Sequence, residues 1–241
     1  MEAYGITDRG KVRRQNQDAF WISCEKSPAI LAVCDGMGGA KAGNVASDLA
    51  IKVFRCEAVR RLAEEPGADI GDILRDAVVS ANTAVFELSK SSSAMSGMGT
   101  TFVAAVAKDC ELTVINVGDS RAYRISGGEI RQITRDHSLV EDMVERGDIT
   151  REQSRNHPNK NLITRAVGTM ATVESDVFVE NADAGDTVLL ASDGLTNVVF
   201  DDEIRDAIAA EDDVRRSCER LMELALSRGA PDNVTVAALR I

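Results

Sequence analysis

Ala29-Ile30-Leu31-Ala32-Val33-Cys34-Asp35-Gly36-Met37-Gly38-Gly39 is the stretch on which the reading turns. Its unbroken apolar run predicts a strand buried on both faces, and such a strand belongs inside a layered architecture. The run breaks at an aspartate and a glycine-rich segment, so the strand is expected to aim Asp35 into a loop. Val188-Leu189-Leu190-Ala191-Ser192-Asp193-Gly194 repeats the arrangement late in the chain. Three more acidic motifs stand where strands should stop: Asn16-Gln17-Asp18, Gly118-Asp119-Ser120 and Asp232-Asn233. Taken singly, Asp-Gly is a common turn. Taken together, the motifs read as one scattered metal site. Hard divalent cations such as Mg²⁺ and Mn²⁺ take oxygen ligands, and a cluster of them must draw carboxylates from several segments. The glycine after Asp35 and after Asp193 lets the backbone come close to a ligand, where a carbonyl can coordinate.

Outward from that strand the elements come in blocks. Phe20-Trp21-Ile22 predicts a strand before it. Apolar Val45, Ala46, Leu49, Val53 and Leu62 fall at helical spacing between Gly43 and Ala63, and Ile70, Ile73, Leu74, Ala77, Val78, Ala81, Val85 and Leu88 mark a second helix with one packed face. Ser89 to Ser96 reads as a loop. Strands follow at Thr101 to Ala107, Leu112 to Val117, Ala122 to Ile125 and Glu129 to Ile133, the last two joined by a Ser126-Gly127-Gly128 hairpin turn. Residues 137 to 168 read as helical, then loop-like, with Asn156-His157-Pro158-Asn159 as a breaker. Val173 to Val179 and Thr187 to Ala191 resume the strands, helices occupy 201 to 210 and 213 to 228, and Asn233 to Ile241 closes the chain as a strand. Helices, a meander, helices and a last strand imply an α+β layered domain with antiparallel sheets.

The chain has 241 residues, enough for one large domain or two small ones, and no repeat or long linker divides it. A formal charge of −11 speaks against a nucleic-acid surface, which needs a basic stripe to displace counterions. The five cysteines are odd in number and form no Cys-x-x-Cys pair, which points to reduced thiols. With no signal-peptide pattern and no apolar run of the ~20 residues that a membrane helix needs, the expectation is a soluble cytoplasmic protein. The glycine-rich stretch from Gly36 to Gly43 lacks the Gly-Lys-Ser/Thr ending of a P-loop and the Gly-x-Gly-x-x-Gly spacing. No Gly-x-Ser-x-Gly elbow is present, and His137 and His157 are the only histidines. His137, in Asp136-His137-Ser138, reads as a structural residue at a helix start.

At this point the chain resembles the metal-dependent protein serine/threonine phosphatases (PPM, or 2C-type), in particular compact bacterial members made of the catalytic domain alone. The motifs that carry the resemblance are Thr7-Asp8-Arg9-Gly10, Arg13-Arg14-Gln15-Asn16-Gln17-Asp18-Ala19, Asp35-Gly36-Met37-Gly38-Gly39, Gly97-Met98-Gly99-Thr100-Thr101, Asn116-Val117-Gly118-Asp119-Ser120-Arg121, Thr134-Arg135-Asp136-His137-Ser138, Ser192-Asp193-Gly194-Leu195 and Asp232-Asn233-Val234-Thr235. The resemblance implies a four-layer α-β-β-α sandwich in which two central antiparallel sheets are flanked by helix pairs. It implies one catalytic domain over residues 1–241, with a mobile flap at about 144–166.

Roles follow from the same resemblance. Asp35 would bridge two Mn²⁺ or Mg²⁺ ions, with the Gly36 carbonyl on one and Asp193 and Asp232 on the other. Asp18 would hold the site directly or through water. Asp119 with Asp193 would make a weaker third site. Arg13 matches the family's phosphate-binding arginine, whose planar guanidinium grips two phosphoryl oxygens. The paired ions would acidify a bridging water and set it in line with phosphorus. Arg151, Arg155, Lys160 and Arg165, against only Glu152, would lend the flap a positive face. Ala40 and Met37 stand where relatives carry histidine, which leaves the proton donor to the leaving group unassigned; a metal-bound water is preferred over His157. The expected activity is hydrolysis of phosphoserine and phosphothreonine in proteins, opposing a bacterial serine/threonine kinase, by a monomer without nucleic-acid or membrane partners. The alternatives are a non-catalytic regulatory module that binds phosphoproteins, and hydrolysis of a small phosphorylated metabolite.

Overall fold

The computed structural model describes residues 1–25, 27–38 and 42–241. The strands are β1 (Glu2–Asp8), β2 (Asp18–Ser23), β3 (Ala29–Met37), β4 (Gly99–Thr100), β5 (Phe102–Lys108), β6 (Glu111–Val117), β7 (Arg121–Ser126), β8 (Glu129–Gln132), β9 (Asp176–Asn181), β10 (Thr187–Ala191) and β11 (Val234–Arg240). They form two antiparallel sheets, ordered β1-β11-β10-β7-β8 and β2-β3-β5-β6-β9, with β4 pairing with β3. The helices are α1 (Gly43–Glu64), α2 (Ile70–Ser91), α3 (Leu139–Glu145), α4 (Arg151–Arg155), α5 (Asp193–Thr196), α6 (Asp201–Ala209) and α7 (Val214–Ser227).

The two-sided burial of β3 has a direct cause. Ile30, Ala32 and Cys34 point into a core shared with α1 and α2, whereas Ala29, Leu31 and Val33 point into a second core between the sheets. On β10, Val188 and Leu190 meet that same inter-sheet core, and Leu189 and Ala191 face a third core under α6 and α7. Each central strand thus separates two apolar layers, and the expected α-β-β-α sandwich results. Helix starts are set by aspartates: Asp69 accepts a bond from the Asp72 N–H at α2, and Asp213 accepts from Arg215 and Arg216 at α7.

Several boundaries differ from the sequence-based expectation. Asp35 does not lie in a loop: β3 runs on to Met37, because the Asp35 carbonyl accepts the Thr101 N–H at 2.9 Å and Gly36 pairs with Thr100. Strand β1 was not anticipated. Its apolar pattern is broken by Gly5, where an added Cβ would lie 2.5 Å from the Phe20 ring. Helix α2 continues through Ser89 to Ser91, β9 begins at Asp176 rather than Val173, and the single turn α5 was not foreseen. All five cysteines are free; Cys34 and Cys218 are buried, Cys56 and Cys110 exposed. Among the described residues no helix is long and apolar enough to cross a membrane.

Candidate metal centre

Pairing register begins the site. Asp18 on β2 sits directly opposite Asp35 on β3, so both side chains leave the same face of the sheet. The second sheet supplies the partners that hold Asp18: its Oδ2 accepts the Ser192 hydroxyl at 2.8 Å and the Thr235 hydroxyl at 2.6 Å. Ser192 precedes Asp193, and Thr235 lies three residues beyond Asp232, so one carboxylate locks both sheets at the edge where the motifs meet. The Asp35 N–H donates to Thr101 Oγ1, which itself bonds the Ser120 hydroxyl at 2.7 Å and so anchors the loop that carries Asp119. Asp193 opens α5 and accepts from Asn197 Nδ2 at 3.0 Å. Asp232 accepts from its neighbour's N–H through Oδ1 and from Arg13 Nη2 through Oδ2, the latter at 2.6 Å.

Two glycines are needed for this convergence. A Cβ on Gly194 would fall 1.8 Å from the Asn233 carbonyl oxygen, and one on Gly36 would fall 2.2 Å from that of Gly43. Any side chain would wedge the aspartate segments apart. Asn233 completes the clamp: its Oδ1 accepts the Gln17 N–H, and its Nδ2 donates to the carbonyls of Arg9 and Gln15.

The cluster is strongly acidic. Burial, then the neighbouring Asp193 and Asp232, push Asp18 up to about 7, against the opposing pull of its two hydroxyl donors. Asp35 is held well above the usual carboxylate range by burial and by Asp18, Asp193, Asp119 and Asp232; Asp119 is raised by burial and Asp193; Asp193 is raised by burial and Asp232. Asp18 Oδ1 and Asp193 Oδ1 are buried and have no hydrogen-bond partner. Buried carboxylate oxygens without donors are costly unless a cation meets them, and an all-oxygen set suits Mn²⁺ or Mg²⁺. Among the described residues no three His, Cys, Asp or Glu side chains already stand as a closed ligand cage. One of these carboxylates, Asp232, is engaged by Arg13.

His137 has a larger part than a generic helix start. Its backbone N–H donates to the Gly118 carbonyl at 2.9 Å and its Nδ1 accepts the Gly118 N–H at 3.1 Å, so it grips both sides of the residue before Asp119. That bond places the ring proton on Nε2, which donates to Asp176 Oδ2 at 3.1 Å. The His137 carbonyl accepts the Thr164 N–H, which ties in the segment that follows α4. The signals available in sequence were its place at a helix start and in the Thr134-Arg135-Asp136-His137-Ser138 motif; the Gly118 contact requires the tertiary fold.

A cavity of about 560 Å³ opens beside Asp119 and Asp193, with Arg151, Arg155, Lys160 and Phe200 on its other wall. Arg151 pairs with Glu141, and Arg155 lies 4.6 Å over the Phe200 ring. Arg165 is turned to Asp176 at 2.8 Å and does not line the cavity. His157 spends its Nδ1 on the Asn159 N–H and does not line the cavity either. Met37 ends β3 opposite Gly99, and Ala40 lies outside the described residues.

The stacked antiparallel sheets deliver carboxylates from several segments to one edge, an arrangement suited to hard divalent cations. The chain belongs to the protein phosphatase 2C family, whose model matches residues 5–234. It is 37% identical over 237 residues to the serine/threonine phosphatase stp of Listeria welshimeri, an alignment covering 98% of this chain and 94% of the relative. The crystal structure of the Mycobacterium tuberculosis serine/threonine phosphatase PstP/Ppp superposes with a TM-score of 0.90 at 39% identity, covering 100% of this chain and 98% of that one. The PstP catalytic domain in complex with two manganese ions superposes with a TM-score of 0.86 at 38% identity, covering 98% and 96%. The chain is therefore a metal-dependent protein serine/threonine phosphatase.

Proposed function

We propose that this chain, as one catalytic domain, removes phosphate from phosphoserine and phosphothreonine in proteins, opposing a serine/threonine kinase in the cytoplasm and acting as a monomer. In this reading Asp35, the Gly36 carbonyl, Asp193 and Asp232 would hold a pair of Mn²⁺ or Mg²⁺ ions, with Asp18 securing the site. Asp119 and Asp193 would hold a weaker third ion. The observation that carries the reading is the pair of buried, partnerless oxygens on Asp18 and Asp193 inside a set of carboxylates with raised pKa.

When bound, such ions would supply a water nucleophile at neutral pH and would offset charge on the phosphoryl oxygens. The chain's own residues do the rest. Arg13, bonded to Asp232 and 53% exposed at its side chain, would take two phosphoryl oxygens and orient the ester. The Thr101, Ser120, Ser192 and Thr235 hydroxyls hold Asp35 and Asp18 in place without reorganisation. Asp119 and the flap wall bound the cavity in which the substrate's own chain sits.

The test is hydrolysis of p-nitrophenyl phosphate and of a phosphothreonine peptide with Mn²⁺. Activity should vanish in chelator and return on adding Mn²⁺ or Mg²⁺; full activity in chelator overturns the mechanism. Metal binding without turnover would favour a regulatory module instead.

A further inference from the structure

The loop joining β1 to β2 reads Arg9-Gly10-Lys11-Val12-Arg13-Arg14-Gln15-Asn16-Gln17, four cations and no acid in a chain of net charge −11. Most arginines elsewhere sit against a carboxylate, as Arg61 does with Glu65, Arg121 with Asp136 and Arg228 with Glu203, although Arg55, Arg146, Arg155 and Arg216 do not among the described residues. Arg13 is held by Asp232. Arg9 and Arg14 are exposed and have no carboxylate partner among the described residues. They line a groove of about 610 Å³ together with Gln15, Asn16, Asn44 and Met95, and no aspartate or glutamate contributes to its wall.

The loop that presents them is not loose. Asn233 binds the carbonyls of both Arg9 and Gln15, the Lys11 N–H donates to the Ala230 carbonyl at 3.0 Å, and Asn16 is bonded to Thr7 and to the Asp18 N–H. Gly10, at φ +72°, sits so close beneath Asp232 that a Cβ would fall 2.1 Å from its carbonyl oxygen. The groove therefore keeps a set position beside Arg13 and the acidic centre. An acid-free groove carrying two unpaired guanidinium forks recognises an oxyanion, carboxylate or phosphate.

We propose that this groove is a second anion subsite, which takes a carboxylate or phosphate borne by the substrate protein close to the residue being dephosphorylated. The inference rests on the phosphatase reading and adds substrate choice to it. Arg14 follows Arg13 directly, so the recognised group lies about two to four residues from the reacting one in an extended peptide. A polyanionic peptide approaching an acidic enzyme is repelled at long range, and the groove reverses that repulsion where the flank lands.

The experiment compares wild type with the double variants R9E/R14E and R9Q/R14Q, in Mn²⁺, on four substrates. These are p-nitrophenyl phosphate, a phosphothreonine peptide with neutral flanks, the same peptide with flanking Glu, and the same peptide with a flanking non-hydrolysable phosphonate, with the anion placed on either side. Wild type should favour the anionic flanks by about tenfold in kcat/KM at low salt, the size of two exposed charge pairs, and the preference should fade at high salt. R9Q/R14Q should lose the preference and R9E/R14E should reverse it, with the aryl phosphate and neutral peptide unchanged. A phosphonate flank preferred over Glu assigns the subsite to phosphate; equal preference assigns it to either oxyanion. Wild type indifferent to flanking charge, or variants that keep the preference, overturn the subsite while leaving the phosphatase intact. Wild type inactive on all four substrates overturns the phosphatase reading itself.

Discussion

Arg13 Nη2 lies 2.6 Å from Asp232 Oδ2, a contact between residues 219 positions apart that joins the two ends of the chain. The phosphate-binding arginine of the proposed site thus rests on one of its proposed metal ligands, and Asp232 in turn holds the guanidinium more firmly protonated. Cation and guanidinium compete for one oxygen. Arg13→Ala should therefore raise KM for phosphoester more than it lowers kcat, and should also lower the Mn²⁺ concentration giving half activity. Initial rates over a grid of substrate and Mn²⁺ check both halves. A collapsed kcat at unchanged KM would place the arginine on the transition state instead.

Asp18 supplies a pH dependence in the metal-free protein. Its folded-state value, about 7, stands above its ordinary one, so the folded protein binds a proton that the unfolded chain gives up. Stability from this group is present below about pH 4 and is lost as pH rises towards 7. The Tm of chelated protein should fall over that window, and Asp18→Asn should flatten the fall while weakening Mn²⁺ binding. Calorimetry in chelator measures this; an equal slope in the variant would show that Asp18 does not titrate there.

Removal of a core ligand should differ from removal of a peripheral one. Asp35→Ala or Asp193→Ala is expected to lower turnover at least about a thousandfold, ~4 kcal/mol of barrier. Asp119→Ala should impair hydrolysis yet leave two ions bound, as counted by calorimetric titration or in a crystal grown with Mn²⁺. Loss below tenfold at Asp35 would mean that the centre lies elsewhere.

The grip of His137 on Gly118 makes the Asp119 loop depend on a neutral ring, and burial holds His137 below its ordinary value. His137→Ala should weaken the third ion about as much as a partial loss of Asp119, with the core pair retained. His137→Asn, which keeps an acceptor near the Nδ1 position, should recover part of the effect. Mn²⁺ titrations of the three proteins decide it; indistinguishable isotherms would make His137 a packing residue only.

His157 does not line the cavity beside Asp119 and Asp193, which argues against it as the proton donor. His157→Ala should change neither aryl phosphate nor phosphopeptide turnover more than a few-fold. Ala40→His, in the glycine-rich segment, should raise phosphopeptide turnover while barely moving the aryl phosphate rate, because nitrophenolate leaves without protonation. Selective loss of phosphopeptide turnover in His157→Ala would make the flap histidine the acid.

Much of the fold was legible because it obeys short-range rules. Helix periodicity at Ile70 to Leu88 and the apolar runs at Ala29 to Cys34 and Thr187 to Ala191 report burial over a few residues, and α2, β3 and β10 follow them. β1 escaped because Gly5 breaks its pattern, a glycine demanded by Phe20 on another strand. The extension of β3 through Asp35 escaped because its hydrogen bonds come from Thr100 and Thr101.

By itself the sequence determined which residue types were present and in what order: hard oxygen donors following or flanking apolar strands, in one ordered set of motifs. Those are local chemical facts, and they sufficed for the fold class and for nominating the carboxylates of the proposed site. Only the tertiary structure decided how the carboxylates are held and who their neighbours are. Asp18 lies opposite Asp35 and is bonded by Ser192 and Thr235, Arg13 rests on Asp232, His137 closes on Gly118, and Arg9 and Arg14 line a groove with no carboxylate among the described residues. Each of these depends on sheet register and on the stacking of one sheet upon the other. Register and stacking are set by the sum of contacts between segments remote in sequence, which no local pattern encodes.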